Sequence, residues 1–254
     1  MAVWGSQSIQ FVWFVTSVDG LKADNLYESI LAHEADNVQR NKIPSPANPF
    51  LGVATGSMDD IQYQMQVQPG RVDLIVSPLA DDNDSEGDVR LLDTYAEISK
   101  IIDHFDKRAI AWPGAVRLSI VANLVWPAPD VDTAVDKFFQ QTGLNLQLDG
   151  ITDPILQLNR RKSLPAAGVD INRVVRFGTA TYQQFVIQLS QDVSAISTPV
   201  PISIQRFATS VTLDFNTIPD GRVFEVAEQV TICKELASEI FRAAEMASLK
   251  ALVD

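Results

Sequence analysis

The segment "SIQFVWFVTSV", residues 8–18, alternates with a period of two and is apolar on both of its faces. Successive side chains of a strand point to opposite faces of a sheet, so this segment predicts a strand in the centre of a sheet. We expect Val12 and Phe14 to face away from the helices, on a side that is either covered within the chain or forms an open hydrophobic platform for a partner. The side chains expected under the helices are Ile9, Phe11, Trp13 and Val15.

The overall composition predicts a protein that folds without covalent cross-links. The chain has 254 residues and a single cysteine, Cys233, which can build neither an internal disulfide framework nor a cysteine-based zinc site. Residues 1–18 carry no positive charge, so they make a poor secretory signal. The longest apolar run within them is too short to cross a bilayer. We therefore expect a cytoplasmic protein with no membrane segment.

The charge distribution argues against a general affinity for nucleic acid or anionic lipid. The formal net charge is −12, and binding to phosphates is driven by lysine and arginine. One stretch, residues 157–210, is locally basic, with six basic residues against two acidic ones. Nucleic-acid binding through this stretch therefore remains an alternative, although the net charge of the whole chain disfavours it.

The order of predicted elements is β-α-β-β-β-α in each half of the chain. In the first half, strands are predicted at about 8–17, 50–56, 60–68 and 71–79, and helices at about 22–39 and 89–107. In the second half, strands are predicted at about 115–126, 153–162, 169–178, 181–190 and 202–217, and helices at about 130–143 and 223–251. Gly143 is expected to cap the helix that ends there.

These elements predict an α+β protein with an internal pseudo-duplication. The first half spans residues 1–112 and the second residues 113–254, with the possibility that both form one continuous domain. Duplicated antiparallel units pair about a pseudo-twofold axis, so we expect an antiparallel sheet with helices on one face. The strand "ISIQRFATSVTLDFNT" has no counterpart in the first half and is expected as a longer excursion of the second.

The acidic loop "DNDSEGDVRLLD", residues 82–93, nearly fits the spacing of a calcium loop. Gly87 stands where such a loop turns sharply, but Arg90 places a positive charge among the ligands. The alternative is a solvated turn in which Asp88 caps the following helix. The candidate calcium ligands are Asp82, Asp84, Glu86 and Asp93.

Familiar catalytic motifs are absent from the sequence. It contains no G-x-S-x-G elbow, no phosphate-binding G-x-x-x-x-G-K-[ST], no G-x-G-x-x-G and no H-E-x-x-H. Cys233 falls on the apolar stripe of the last helix, and His33 and His104 have no metal-ligand spacing. We therefore predict no catalytic residue and no cofactor.

The segments "ILQLNRRK", "VDINRVVRFG" and "VTLDFNT", followed by a closing helix, resemble the pattern of a sporadically distributed, uncharacterised family of bacterial proteins of about this length. The resemblance covers the second half, about residues 154–245. It implies an intracellular bacterial protein acting in an accessory or defence setting. It brings no known activity and no catalytic residues.

The leading functional hypothesis is a non-catalytic protein-binding or assembly module that forms homo-oligomers. The alternatives are nucleic-acid binding through residues 157–210 and an enzyme without familiar motifs. The residues predicted for a partner surface are Trp13, Phe14, Trp126, Arg160, Arg161, Arg173 and Arg176.

Overall fold

The structure is a computed structural model that describes residues 4–45, 48–79, 90–108, 112–145, 150–186 and 202–252. The strands in this part of the chain are β1 (Gly5–Val15), β2 (Asn37–Arg40), β3 (Gly52–Met58), β4 (Ile61–Gln68), β5 (Arg71–Pro78), β6 (Ala115–Ala128), β7 (Ile155–Leu164), β8 (Val169–Val186) and β9 (Ile202–Thr217). The helices are α1 (Ala23–Leu31), α2 (Thr94–Arg108), α3 (Val131–Thr142) and α4 (Val226–Met246), with a 3-10 turn at Leu249–Leu252. Within the described ranges, none of these helices is both long and apolar enough to span a bilayer.

All nine strands form one antiparallel sheet in the order β2-β3-β4-β5-β1-β6-β9-β8-β7. The mixed α+β class and the antiparallel sheet are thereby confirmed. β1 and β6 are neighbours near the centre, with Phe11 opposite Ile120. Outward from them the order of strands is the same in both halves: β5, β4, β3 on one side and β9, β8, β7 on the other. The two halves therefore share one sheet and one hydrophobic core.

The described helices pack on a single face of this sheet. The register places Phe11, Tyr63, Thr209 and Arg173 on the same face. Arg173 lies in the same row as Phe11, and Tyr63 and Thr209 lie an even number of residues along their strands from that row. Three hydrogen bonds then link that face to three helices: Tyr63 to Glu97 of α2 (3.0 Å), Thr209 to the Ala134 carbonyl of α3 (2.8 Å) and Arg173 to Glu239 of α4 (3.2 Å). α1 packs against β3 and β4 on the same side, where Tyr27 approaches Gly56.

An aromatic cluster forms the centre of the core beneath β1. Trp13 lies 4.9 Å from the Trp112 ring and 5.5 Å from the Phe105 ring, measured between centroids, and Phe11 stacks beside it. The inward face predicted for β1 is therefore confirmed. The prediction that Trp13 contributes to a partner surface is wrong, because α2 and Trp112 cover its ring and leave it 1% exposed.

The first helix is shorter than the sequence pattern predicts. α1 ends at Leu31, because Ala32 adopts a left-handed conformation with φ of 56°. The residues predicted to continue the helix include His33, Glu34 and Asp36, none of which has an apolar side chain to bury. The chain instead continues into β2, a four-residue edge strand whose side chains are all exposed.

The prediction that the second half contains an additional strand without a counterpart in the first half is also wrong. The two strands predicted on either side of Gly178 are one continuous strand, β8, which pairs with β9 from Ile171 to Val186. β9 thereby occupies the place beside β6 that β5 occupies beside β1. Gly178 is of a residue type that is typical of turns, but it lies within β8 because both neighbouring strands, β7 and β9, pair with it.

We predict that Gly56→Ala destabilises the protein by about 1–3 kcal/mol, since overpacking a dense core carries a cost of this order. A Cβ at Gly56 would lie 2.5 Å from the Tyr27 hydroxyl, whereas one at Gly52 would meet the Ala23 Cβ at an ordinary 3.4 Å. Urea denaturation measures the change, with Gly52→Ala as the matched control.

The Tyr27 hydroxyl is buried and has no hydrogen-bond partner among the described residues, so removing it as Tyr27→Phe should cost little. In that background Gly56→Ala should lose most of its effect. An undiminished loss in the double variant would contradict the proposed contact between these two residues.

We predict that the Cys233 thiol reacts with a thiol reagent only after unfolding. Complete burial in α4 raises the pKa of this thiol to about 12, so at about pH 8 roughly one molecule in ten thousand carries the reactive thiolate. Labelling followed by mass spectrometry should therefore track unfolding in urea. Rapid labelling of the folded protein would contradict the placement of this side chain.

Candidate binding surface on the open face of the sheet

The sheet face opposite the helices, called here the open face, is built from side chains that alternate with the core residues. The strand register aligns them in rows across the sheet, and most members are half-buried. One row consists of Val53, Gln66, Asp73, Val12, Ser119, Asn216, Asn172 and Arg161. The adjacent row consists of Thr55, Gln64, Ile75, Gln10, Val121, Asp214, Val174 and Asn159.

Asp73 organises the half of the open face that belongs to the first half of the chain. Its carboxylate is 1% exposed and accepts hydrogen bonds from Gln10 (3.1 Å), Gln68 (2.9 Å) and Arg71 (2.9 Å). A buried carboxylate needs such compensation, because an uncompensated charge away from water is costly. The network therefore holds three neighbouring strands, β1, β4 and β5, in a fixed polar arrangement.

A second network organises the other half of this face. The Asp214 carboxylate accepts from Ser119 (2.8 Å) and from the amide of Asn216 (2.9 Å). The amide oxygen of Asn216 in turn accepts from Arg117 (2.8 Å) and Asn172 (3.2 Å). These contacts link β6, β9 and β8, so polar side chains are fixed across most of the sheet.

Phe14 lies between two guanidinium groups on the open face. The guanidinium carbons of Arg71 and Arg117 lie 5.4 and 5.1 Å from its ring centroid, on the neighbouring strands β5 and β6. Both distances fit cation–π contact. The outward placement predicted for Phe14 is confirmed. The surface around it, however, is not the hydrophobic platform that the opening segment suggested, because amides, hydroxyls and arginines dominate it.

The open face is positively charged although the chain is acidic. Among the described strands it carries five arginines and three aspartates, a surplus of cations in a chain of net charge −12. The arginines are Arg71, Arg117, Arg161, Arg176 and Arg206, and the aspartates are Asp73, Asp170 and Asp214. The negative charge of the chain is therefore concentrated elsewhere.

The basic stretch predicted as one surface is divided between the two faces of the sheet. Arg161 and Arg176 lie on the open face, whereas Arg160 and Arg173 lie opposite each other on the helix side. Arg173 is buried against α4, so the prediction that it faces a partner is wrong. The reason is the period of two, which sends adjacent residues of β7 to opposite faces.

Trp126, also predicted for a partner surface, lies on the helix side of β6. Its ring is half-buried and the Lys137 ammonium of α3 lies 5.2 Å from its centroid. Of the three aromatic residues predicted for a partner surface, Phe14 alone lies on the open face.

The candidate calcium loop is described only at its end. Asp82, Asp84 and Glu86, together with the predicted cap Asp88, lie outside the described residues. Asp93 caps α2, since its carboxylate accepts the Ala96 backbone N–H at 3.0 Å. Among the described residues, no three histidine, cysteine or acidic side chains are placed to share a metal ion.

Comparisons with protein-family models, curated proteins and solved structures gave no match for this chain. The site is therefore interpreted from its own geometry. Sequence reasoning missed Asp73 and Asn216 as its organising residues. The sequence did contain a signal for Asp73, since "RVDLIV" places a single carboxylate between the apolar residues of a strand.

We predict that Asp73→Asn lowers the free energy of unfolding by about 2–3 kcal/mol, because Arg71 loses its charged acceptor and an amide donor replaces a carboxylate oxygen. Asp170→Asn is the matched control, because Asp170 is exposed on the same face and bonded to Ser163. The control should change stability by no more than about 0.5 kcal/mol. Equal losses in urea denaturation would contradict an organising role for Asp73.

Proposed function

We propose that this chain is a non-catalytic protein-binding module that self-associates through the open face. The observation that supports this function is a partly exposed sheet face with an ordered hydrogen-bond network, while every described helix packs on the opposite side. Side chains that are already fixed lose less conformational entropy when a partner covers them. An intracellular setting is part of the proposal, because the single cysteine is a buried thiol.

The dimensions of the open face suit a stable dimer. Nine strands about 4.8 Å apart span about 40 Å, and six residues along a strand extend about 20 Å, which gives a flat area of roughly 800 Å². Standard protein interfaces bury about 800 Å² on each partner. Two sheets of this kind stack face to face with their strands within about 30° of each other.

The distribution of side chains favours one orientation of the second copy. The first half of the open face carries glutamines, such as Gln64 and Gln66 on β4, whereas the second half carries Arg161 and Arg176. A twofold axis parallel to the strands would place the glutamine side of each copy opposite the arginine side of the other. Such an interface is isologous and closed, and it separates the arginines of the two copies.

We also infer that the two halves derive from one repeated unit. Support comes from the matching outward order of three strands in each half, with β2 as an additional edge strand of the first, and from the positions of the helices. α1 and α3 follow the central strands β1 and β6, and α2 and α4 close each half. A repeated unit places two similar half-surfaces side by side on the open face.

Nucleic-acid binding is the second candidate, favoured by Phe14 and the five arginines of the open face. The net charge of −12 and the carboxylates of Asp73 and Asp214 on the same face argue against it. A fluorescent single-stranded oligonucleotide distinguishes the two functions. Binding that weakens steeply with salt would favour this candidate over self-association.

We predict that the wild-type protein is a dimer and that Ile75→Glu weakens it at least about tenfold in Kd, or about 1.4 kcal/mol. Ile75 is half-buried between Gln10 and Gln64 at the middle of the open face, so a glutamate there would be desolvated in the interface. Light scattering coupled to size-exclusion, together with native mass spectrometry, measures the mass over a dilution series.

The matched control is Ile43→Glu, because Ile43 is 85% exposed and lies outside the strands. It should leave the dimer unchanged, and circular dichroism should show that both variants are folded. A monomeric wild type at high micromolar concentration, or an Ile75→Glu variant with the wild-type mass at every dilution, would contradict self-association through this face.

A further inference from the structure

Three cations converge on one carboxylate at the β7 end of the sheet, on the helix side. Lys162 of β7 lies 2.9 Å from both Glu239 oxygens, Arg173 of β8 lies 3.2 Å from one, and Arg242 lies 3.0 Å from the other. We call these four residues the cationic cluster. Two adjacent strands and α4 supply its members, so the tertiary fold positions all four.

The hydrogen-bonding capacity of the cluster is unbalanced. A carboxylate offers about four acceptor sites, and the four contacts from Lys162, Arg173 and Arg242 occupy those of Glu239. Lys162 has a third ammonium proton beyond its two bonds to Glu239, and Arg242 has further guanidinium donors beyond its one. The Lys162 side chain is 26% exposed and that of Arg242 is 45% exposed, so these donors can be reached from solvent.

The charge of the cluster is also unbalanced, with a surplus of two positive charges among its four members. The other ion pairs seen in the described part of the chain each join one cation to one carboxylate, as in Arg71 with Asp73, Arg40 with Asp24, Lys234 with Asp106, and Arg222 with Asp220. Glu239 and Arg173 are almost completely buried, so solvent screens the field at this position less than at an exposed pair.

Crowding of like charge is evident at Arg173. Burial is the largest cause that lowers the pKa of its guanidinium, and Arg160 and Arg242 lower it further, whereas Glu239 acts in the opposite direction. Arg160 lies directly across from Arg173 on the neighbouring strand. Like charges directly opposite each other in a sheet repel, which adds to the positive field of the cluster.

We propose that the cationic cluster binds a phosphate group, with Lys162 and Arg242 as the direct ligands. Glu239 and Arg173 act as positioning residues that hold those two side chains over the edge of the sheet. A dianionic phosphate matches the surplus charge, and its oxygens accept the remaining lysine and arginine donors. The site lies on the opposite side of the sheet from the open face, so it is independent of self-association.

Titration of inorganic phosphate into the full chain, at constant ionic strength maintained with chloride, tests the site. We expect saturable binding in isothermal titration calorimetry and a matching rise in melting temperature. Arg242→Met and Lys162→Met should each weaken binding by about tenfold, since each removes one charged donor. Lys234→Met is the matched control on the same helix, and it should leave the affinity unchanged.

Glu239→Gln separates ligand binding from a purely structural role. The glutamine amide oxygen can still accept a hydrogen bond from Lys162 or Arg242 and hold it in place, but the negative charge is lost. The surplus positive charge therefore rises, and phosphate should bind more tightly even though the unliganded protein becomes less stable. O-phosphoserine and a 5′-mononucleotide, titrated in the same way, distinguish a phosphorylated protein from a nucleotide as the natural source. Absence of saturable binding for all three compounds, or equal weakening by Lys234→Met, would overturn the proposal.

Discussion

The antiparallel pairing of β1 with β6 is the contact on which the rest of the structure depends. It joins the two halves into one sheet and sets the register of every row across both faces. On the helix side, β1 supplies Trp13 to the aromatic cluster with Phe105 and Trp112. On the other side it supplies Phe14 between two arginines. A single strand therefore anchors the core and shapes the open face.

The polar groups of this protein are placed where strands meet, and most of them bridge elements distant in sequence. On the open face Asp73 joins β1, β4 and β5, and Asn216 joins β6, β8 and β9. On the helix side Glu239 joins β7 and β8 to α4. Buried polar networks of this kind are costly when incomplete and rigid when satisfied. Each of the two surfaces proposed for binding is a place where such a network reaches solvent.

The sequence predicted the local features of the fold and missed those that depend on distant partners. Alternation identified β1 with its inward and outward faces, and the glycine cap after α3 was correct. The length of β8 was not predictable from Gly178 alone, because β7 and β9 hold it in the ladder. Likewise, proximity in sequence suggested one surface for Arg160 and Arg161, whereas the strand register separates them.

The position of β1 has a consequence for synthesis of the chain. β1 is translated before its partner β6, which begins at Ala115, roughly 100 residues later, and this interval corresponds to about 5–20 s at ribosomal speed. During that interval the nascent first half can assemble β3, β4, β5 and β1, but β1 is then an apolar edge strand with unpaired backbone groups. The order of translation therefore leaves a central, largely buried strand of the finished protein exposed as an aggregation-prone edge of the unfinished one.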